Sequence, residues 1–513
     1  MEQEKKNLGD ILIVGGVTVG SRVTGLVRDV LIYSMLGASR ECSAFIFAFT
    51  LPNLFRRLLG EGALTSALIP VLSGELEKKG DTAFFGLMGK VFSRVLVLLF
   101  FLALLGCGVL LALNTFLQME PRWHLGFRYG AILFPYLFFI CLSAVCGGAL
   151  NSLGRFGTVA LTPVMLNLSM IFALGILGFF FGETLGEKVM WLCCGVLLGG
   201  VLQLALPARA LARHGWRPTL DFNDSPELRR IWGLFVPGLI GASVLQFNLL
   251  VSRGLAFSID DTAVSVLFLA SRLVELPLGI FSMAVITVVF PQVARQSARG
   301  DEQGFRETFS SGLRLILMLT VPAATGLVIL AEPILNLLFG WGLFDAADVE
   351  RTVPVLCISA LGLPFYSLVS LYTRGFHARQ DMGTPLKASC QGVVLNLVLS
   401  VVLMFNFGIK GLAAAGVVSS VWHCIYLRLM FRKEMPKILN TLAKILVASA
   451  AMGFLCFLLW GWIQVQLGDG KLGSLLTVAG VIPLGVFAYL VMLWMLKLED
   501  LKGLLRLLQR KSL

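Results

Sequence analysis

Fourteen apolar segments, each long enough to cross a bilayer, constrain this chain more than any other feature. A transmembrane helix needs about 20 apolar residues. Charged residues make up 14% of the chain, whereas a soluble protein carries about 25%. The sequence therefore predicts an all-α, polytopic membrane protein with 14 transmembrane helices. The segments lie near residues 9–36, 43–72, 85–113, 126–151, 158–181, 188–211, 229–257, 263–293, 309–331, 350–375, 385–406, 411–431, 440–465 and 473–496.

Basic residues are distributed unequally between the two sides of the membrane. With the N-terminus in the cytoplasm, the cytoplasmic connections and the helix ends next to them hold 29 Lys and Arg, and those on the opposite side hold seven. Because cytoplasmic connections are enriched in Lys and Arg, both termini are predicted to be cytoplasmic. The same distribution accounts for the net charge of +12, which in a soluble domain would suggest nucleic-acid binding. No nucleic-acid partner is expected.

The chain also repeats weakly, with copies about 220–230 residues apart. The segments 68–81 and 289–302 each contain a proline and, at or next to the end, a basic residue followed by Gly-Asp. A Leu-Asn-Leu triplet centred on Asn167 recurs at Asn396. Six spans separate the copies, which predicts two parallel, pseudo-symmetric six-helix lobes. The predicted parts are an N-lobe over 1–215, a C-lobe over 216–435, and two additional helices with a basic cytoplasmic tail over 436–513.

Six arginines remain inside the predicted spans: Arg22, Arg28, Arg56, Arg57, Arg253 and Arg272. An arginine at the centre of a span costs about 2.5–3.5 kcal/mol on insertion scales, so such residues usually have a function. At about 100° per residue, Ser21 and Arg28 share a face and Arg22 lies about 120° from Arg28. Arg22 and Arg28 can lie on one face of the helix only if the helix bends, and Gly20 and Gly25 make a bend plausible.

Acidic partners leave a structural alternative open for several of these arginines. Arg28 with Asp29 is a candidate local ion pair, and Arg57 is spaced i,i+4 from Glu61. Arg272 is spaced i,i+3 from Glu275, and Arg253 lies where it could reach the interface. The face of Arg56 carries Asn53 and no acid. As a set, the arginines favour a site for an anion, because guanidinium groups bind phosphate oxygens in pairs.

Long motifs around these charges resemble those of a known family. Ser21-Arg22-Val23-Thr24-Gly25-Leu26-Val27-Arg28-Asp29 and Leu51-Pro52-Asn53-Leu54-Phe55-Arg56-Arg57-Leu58-Leu59-Gly60-Glu61-Gly62-Ala63 are similar to the first- and second-helix signatures of the MurJ (MviN) family of lipid II flippases. Shorter runs at 270–277 and 379–385 support the resemblance. It covers essentially the whole chain.

The resemblance implies the fold of the MOP exporter superfamily, which is MATE-like, with a cavity between two lobes. It implies a protein of peptidoglycan biosynthesis that moves lipid II from the cytoplasmic to the periplasmic leaflet of the bacterial inner membrane. The two added helices would receive the polyprenyl tail in a groove. Residues implied to bind the pyrophosphate headgroup are Arg22, Arg28, Arg56 and Arg272, with Ser21 and Asn53. Asp29, Arg57, Glu61 and Glu275 are candidates for gating or ion coupling.

The chain departs from the family at three positions. Several members carry an acid, a lysine and an aspartate where this chain has Ser43, Thr50 and Ser271, so the charge pattern of the cavity differs.

Other functions remain as alternatives. A MATE-like multidrug or cation antiporter needs acids and aromatic residues, whereas the excess charge inside these spans is cationic. An exporter of another polyprenyl-linked oligosaccharide would share the pyrophosphate. Neither a metal-ligand cluster nor a Walker A motif occurs in the sequence, so neither an enzyme nor direct use of ATP is expected. The remaining energy sources are the membrane potential and an ion gradient. We expect a monomer without cofactors, surrounded by membrane lipids.

Overall fold

The computed structural model describes residues 2–58, 64–431, 439–468 and 470–498, with side chains from residue 14 onward except at 240–242 and 245. Within these residues the chain is helical and has no strand. Nine helical stretches there are long and apolar enough to cross a membrane, and a pair bent by 41°, Pro121–Leu133 with Tyr136–Ser152, makes a tenth. The predicted all-α, multi-pass class is confirmed.

The chain divides into two compact units, Met1–Val264 and Ser265–Leu513. Pro52 and Pro163 lie inside helices of the first unit, and π-helical turns occur at residues 56–58 and Ala173–Leu177. Its helices are α1 (Glu2–Leu36), α2 (Arg40–Phe55), α3 (Leu64–Phe116), α4 (Pro121–Leu133), α5 (Tyr136–Ser152), α6 (Phe156–Phe172), α7 (Gly178–Phe181), α8 (Leu185–Arg213) and α9 (Pro226–Ile259).

The second unit continues the helical pattern, with π-helical turns at Leu278–Ser282 and Thr477–Val481. Its helices are α10 (Ala263–Pro277), α11 (Met283–Ala298), α12 (Glu302–Ile329), α13 (Ala331–Leu338), α14 (Ala346–Leu361), α15 (Leu363–Ala378), α16 (Gly383–Met430), α17 (Leu439–Leu467), α18 (Lys471–Leu476) and α19 (Ile482–Met495).

Within the described residues, each of the predicted segments coincides with helical chain, although the boundaries differ. Gly80 in α3 and Gly408 in α16 break these long helices at φ of 75° and 55°, a conformation that glycine adopts without a Cβ penalty. As a result, α16 covers two predicted segments. The count of 14 spans stays a prediction. The division of the chain at residues 215 and 435 also stays a prediction, because it describes a repeat in the sequence, whereas the two units are defined by compactness.

Close helix packing in the first unit sets the position of α6. A Cβ added at Gly195 of α8 would lie 2.6 Å from the Cβ of Ala173, so the helices approach more closely than larger residues allow. Gln203 on α8 accepts a hydrogen bond from Tyr136 at 2.9 Å and donates to the carbonyl of Thr162 at 3.0 Å. These contacts tie α8 to both α5 and α6.

A connection between α8 and α9 is held against α3. Arg94 Nη2 donates to the carbonyls of Phe222 and Asn223 at 2.6 and 3.1 Å. At the start of α9, the Lys79 ammonium donates to Glu227 at 2.9 Å and lowers the pKa of that carboxyl. This connection lies on the predicted cytoplasmic side, where the sequence places its basic residues.

An aromatic cluster forms part of the core of the second unit. The rings of Phe309 and Phe431 stack at 4.8 Å, and the guanidinium of Arg379 lies 4.4 Å from the ring of Phe305. The helices α17 and α19 belong to this unit, since α17 packs against α12 and Tyr489 of α19 donates to the carbonyl of Met318 on α12 at 2.8 Å. A tail groove formed by the added helices stays a prediction, and the basic tail at 499–513 lies outside the described residues.

Candidate functional site

Arg28 lies in a buried polar cluster on α1. Its Nε and Nη2 donate to Asp29 Oδ1 at 3.0 and 2.6 Å, and its Nη1 donates to Asn167 Oδ1 at 2.9 Å. Arg28 is 8% exposed and Asp29 is 5% exposed. A buried charge is tolerated when a partner and hydrogen bonds compensate its desolvation. The ion pair that the sequence left open is therefore present.

The sequence reasoning missed Asn167 as a member of this cluster. Its Nδ2 donates to the carbonyl of Ser21 at 3.1 Å and to Thr24 Oγ1 at 3.2 Å, so one amide binds α1 at two levels. A Cβ on Gly25 would lie 3.5 Å from the same Nδ2, which is an ordinary contact. The available signal was a single amide in an apolar span, which the sequence reasoning used only as a repeat marker.

Arg22 occupies a different environment on the same helix. It is exposed, whereas Arg28 is buried and Ser21 is half-buried. The helix α1 runs through both arginines as a single helix. The two arginines therefore do not share a stripe, in agreement with their predicted angular separation.

The end of α2 places two more of the predicted residues at a π-helical turn. Arg56 Nε donates to Asn53 Oδ1 at 2.7 Å, and Arg56 and Arg57 are both half-buried within residues 56–58. Such turns widen the helix locally and often occur at functional sites. Glu61, the predicted partner of Arg57, lies outside the described residues.

In the second unit, Arg272 pairs within α10. Its Nη1 lies 3.0 Å from Glu275 Oε2, and its guanidinium lies 5.0 Å from the ring of Phe268. The side chains of Arg272 and Glu275 are 39% and 51% exposed. The predicted i,i+3 pair is present, and solvent or lipid headgroups weaken a pair this exposed.

The positions that depart from the family carry no charge. Ser43 is fully buried, while Thr50 and Ser271 donate to the carbonyls of Ile46 and Leu267, both at 2.7 Å. The hydroxyls of Thr50 and Ser271 thus satisfy backbone carbonyls one turn earlier in their own helices.

Arg253, which the sequence places where it could reach the membrane interface, is covered by protein. It is 8% exposed, and its Nη1 donates to the carbonyl of Val264 at 3.2 Å. The chain that follows α9 brings this carbonyl back to the arginine. Arg253 is therefore a buried arginine of the first unit that sequence reasoning set aside.

The described side-chain hydrogen bonds of the predicted site arginines thus form three groups: Arg28 with Asp29 and Asn167, Arg56 with Asn53, and Arg272 with Glu275. Guanidinium groups offer planar N–H donors that fit phosphate oxygens. Arg22 and Arg272 present exposed surface to a ligand, whereas Arg28 must share its donors with Asp29. Within the residues the structure describes, His, Cys, Asp and Glu form no group of three that could hold a metal ion.

Comparisons with known proteins place the whole chain in one family. A family model described as "Lipid II flippase MurJ" matches residues 32–480. A protein of Vibrio cholerae named a probable lipid II flippase MurJ is 33% identical, over 97% of this chain and 98% of its own. A protein of Bdellovibrio bacteriovorus with the same name is 32% identical, over 98% of each chain.

Solved structures agree with this placement. A lipid II flippase MurJ in an inward closed conformation matches with a TM-score of 0.78 and 26% identity, over 94% of this chain and 98% of that chain. An inward-facing multidrug resistance MATE family transporter of the MOP superfamily matches with a TM-score of 0.65 at 15% identity, over 82% and 97%; this likeness shows the fold alone. The chain belongs to the lipid II flippase MurJ family, whose members are bacterial membrane transporters and not enzymes.

Proposed function

We propose that this chain is a flippase that moves lipid II from the cytoplasmic to the periplasmic leaflet of the inner membrane. The observation that carries the proposal is similarity over 97% of the chain to a relative named for that activity. The intramembrane arginines support it, because the substrate carries a pyrophosphate between its sugar headgroup and its lipid tail. Alternating access then exposes the headgroup site first to the cytoplasm and afterwards to the periplasm.

The contacts of the arginines suggest separate roles in binding the pyrophosphate. Arg22 is exposed and Arg272 partly so, and both offer N–H donors. Arg28 is oriented in advance by Asp29 and Asn167, so little conformational entropy is lost when its donors turn to a phosphate. Ser21 and Asn53 add polar groups beside these arginines. Release follows when Asp29 and Glu275 recover their arginines from the phosphate.

The remaining acids and the energy source belong to the same proposal. Asp29, Glu61 and Glu275, with Arg57, are candidates for gating or for coupling to the membrane potential or an ion gradient. Moving one charge across the membrane yields about 2.3 kcal/mol per 100 mV. We propose that the protein works as a monomer without a cofactor, with both termini in the cytoplasm and its surface solvated by lipid.

Depletion in the host tests the function directly. Loss of the protein should leave lipid II on the cytoplasmic face, where a periplasmic enzyme or label cannot reach it. Lipid II that remains accessible from the periplasm at the normal level would contradict the proposal.

The variant Arg56→Ala tests the arginine site. It should fail to support growth when the native flippase is depleted, because a donor for the pyrophosphate is lost. Arg155→Ala is the matched control, since Arg155 is exposed in the connection between α5 and α6, and it should restore growth at equal protein levels. Full growth with Arg56→Ala would remove Arg56 from the site.

A multidrug or cation antiporter is the second candidate, favoured by the likeness in fold to a MATE transporter. The cationic excess inside the helices disfavours it, since like charges repel a cationic substrate. Efflux of a cationic dye by cells that express this chain, with no effect of depletion on lipid II, would favour the antiporter. An exporter of another polyprenyl-linked oligosaccharide would instead restore transport of that lipid and not of lipid II.

A further inference from the structure

A histidine without a partner lies on α16 in the second unit. His423 Nε2 is buried and has no hydrogen-bond partner in the described part of the chain, and the same is true of Ser419 Oγ one turn earlier. Ser419 is 6% exposed. Residues spaced i,i+4 share a helix face, and buried polar atoms nearly always have partners. The two atoms together therefore indicate a place where a small hydrogen-bonding guest fits.

The first half of α16 lies on the other side of the His423 ring. In a straight helix, Gly392 and His423 would be about 46 Å apart. A Cβ added to Gly392 would instead lie 3.6 Å from His423 Nδ1. The helix thus folds back at its break at Gly408, and the two halves run antiparallel with Gly392 level with His423.

The antiparallel register brings further polar groups to adjacent levels. Four residues along each half, Asn396 is level with Ser419. Asn396 is 8% exposed, and its Oδ1 accepts a hydrogen bond from Ser400 at 3.2 Å. Polar side chains of both halves of α16 thus lie at adjacent levels, and Gly392 leaves space for about one methyl group beside the imidazole.

The titratable groups on the neighbouring helices have other contacts. Both α14 and α15 pack against α16. On α15, the hydroxyls of Tyr366 and Tyr372 interact with Ser420 and Arg428, and on α14 the thiol of Cys357 donates to the carbonyl of Val328. On α16 itself, Lys387 and Arg428 are level with each other, about 7.5 Å along the axis from the histidine. Among the described residues, no carboxylate interacts with the His423 ring.

We propose that His423 binds and releases a proton during transport. Imidazole is the side chain whose ordinary titration falls near neutral pH. Water or a buffer acid donates the proton, an N–H bond forms at the ring, and the conjugate base leaves; release reverses the step. The imidazolium then donates to Ser419 Oγ, directly or through one water. Ionisable groups inside spans commonly serve as proton relays.

The inference rests on the proposed flippase function, and reconstitution separates the two. Proteoliposomes containing lipid II are given a pH difference while the membrane potential is clamped at zero. The wild-type flipping rate should change several-fold with the pH difference, and His423→Gln should lose that response. The matched control is His377→Gln, at the end of α15, which should keep it.

The outcomes are distinguishable. No flipping by the wild type overturns the proposed function. Flipping that ignores the pH difference, or responds only to sodium, overturns the proton site and leaves the function intact. A His423→Gln response equal to that of the wild type also overturns the site.

A spectroscopic measurement avoids transport altogether. The chain has four histidines, so ¹⁵N-imidazole signals of the purified protein can be assigned by comparing wild type with His423→Gln. The His423 signal should change with pH, and Ser419→Ala should move the midpoint of that change. A ring that keeps one protonation state at every pH at which the protein stays folded contradicts the proposal.

Discussion

At the scale of single residues, Asn167 determines how Arg28 is held. Its amide oxygen accepts from Arg28 and its nitrogen donates to α1. We predict that Asn167→Leu lowers the free energy of unfolding in detergent by about 1–3 kcal/mol, because a buried guanidinium N–H and a carbonyl lose their partner. Asn406→Leu is the control, since Asn406 is exposed and bonds its own helix. Equal losses in the two variants would contradict the prediction.

Charge pairs close in sequence were predictable, and distant partners were not. Adjacency suggested Arg28 with Asp29, and i,i+3 spacing suggested Arg272 with Glu275. Asn167 lies 139 positions from Arg28, so its contact depends on how α6 packs on α1. The contact of Arg253 was not predictable for a similar reason, because its position in α9 does not reveal that the carbonyl of Val264 lies next to it.

At the scale of helices, glycines set the spacing between neighbouring elements. We predict that Gly195→Ala lowers the free energy of unfolding by about 1–3 kcal/mol, because its Cβ would overpack the contact with α6. The measurement is chemical unfolding in detergent. As a control, Gly461→Ala on α17 has nothing within 4 Å of the added Cβ and should stabilise the protein by up to about 1 kcal/mol. A neutral or stabilising Gly195→Ala would show that α8 can move away from α6 without loss.

Apolar length located the helices, but it did not locate their internal breaks. Gly80 and Gly408 sit in left-handed conformations inside long helices, and in each case the surrounding residues look suitable for continuous helix. The π-helical turn at residues 56–58 was equally invisible, because it depends on one inserted backbone position and not on composition. These local departures determine where Arg56 and the two halves of α16 lie. The sequence therefore indicated which residue types form the candidate sites, but it did not indicate how they are arranged.

At the scale of the whole molecule, lipid as the solvent explains why so much was predictable. Backbone polar groups in a bilayer must be satisfied within the segment, so long apolar segments fold as helices. The long arginine-bearing motifs then identified the family. How the substrate meets the arginines did not follow, because two buried groups already bind Arg28 and an exposed environment surrounds Arg22, a difference that residue type does not encode.

Orientation in the membrane is the remaining property that the whole sequence predicts. Seven basic residues fall on the predicted outer side, and two of them, Arg40 and Arg122, meet the same acid. Arg40 Nε donates to Asp261 Oδ2 at 2.7 Å, and Arg122 Nη1 lies 4.0 Å from Asp261 Oδ1. The acid does not change the expected orientation, because Asp and Glu contribute little to this bias, and the excess of Lys and Arg on the cytoplasmic side predicts it.

Fusions to alkaline phosphatase, which is active only in the periplasm, test this orientation. Fusions after Glu183 and Trp341 should be active, because both residues follow an odd number of predicted spans. Fusions after Gly215 and Gly300 should be inactive, because six and eight predicted spans precede them. As a control for expression, green fluorescent protein replaces the phosphatase after Gly215 and Gly300. These fusions should be fluorescent, because both positions are predicted to be cytoplasmic. The reverse pattern would place both termini outside.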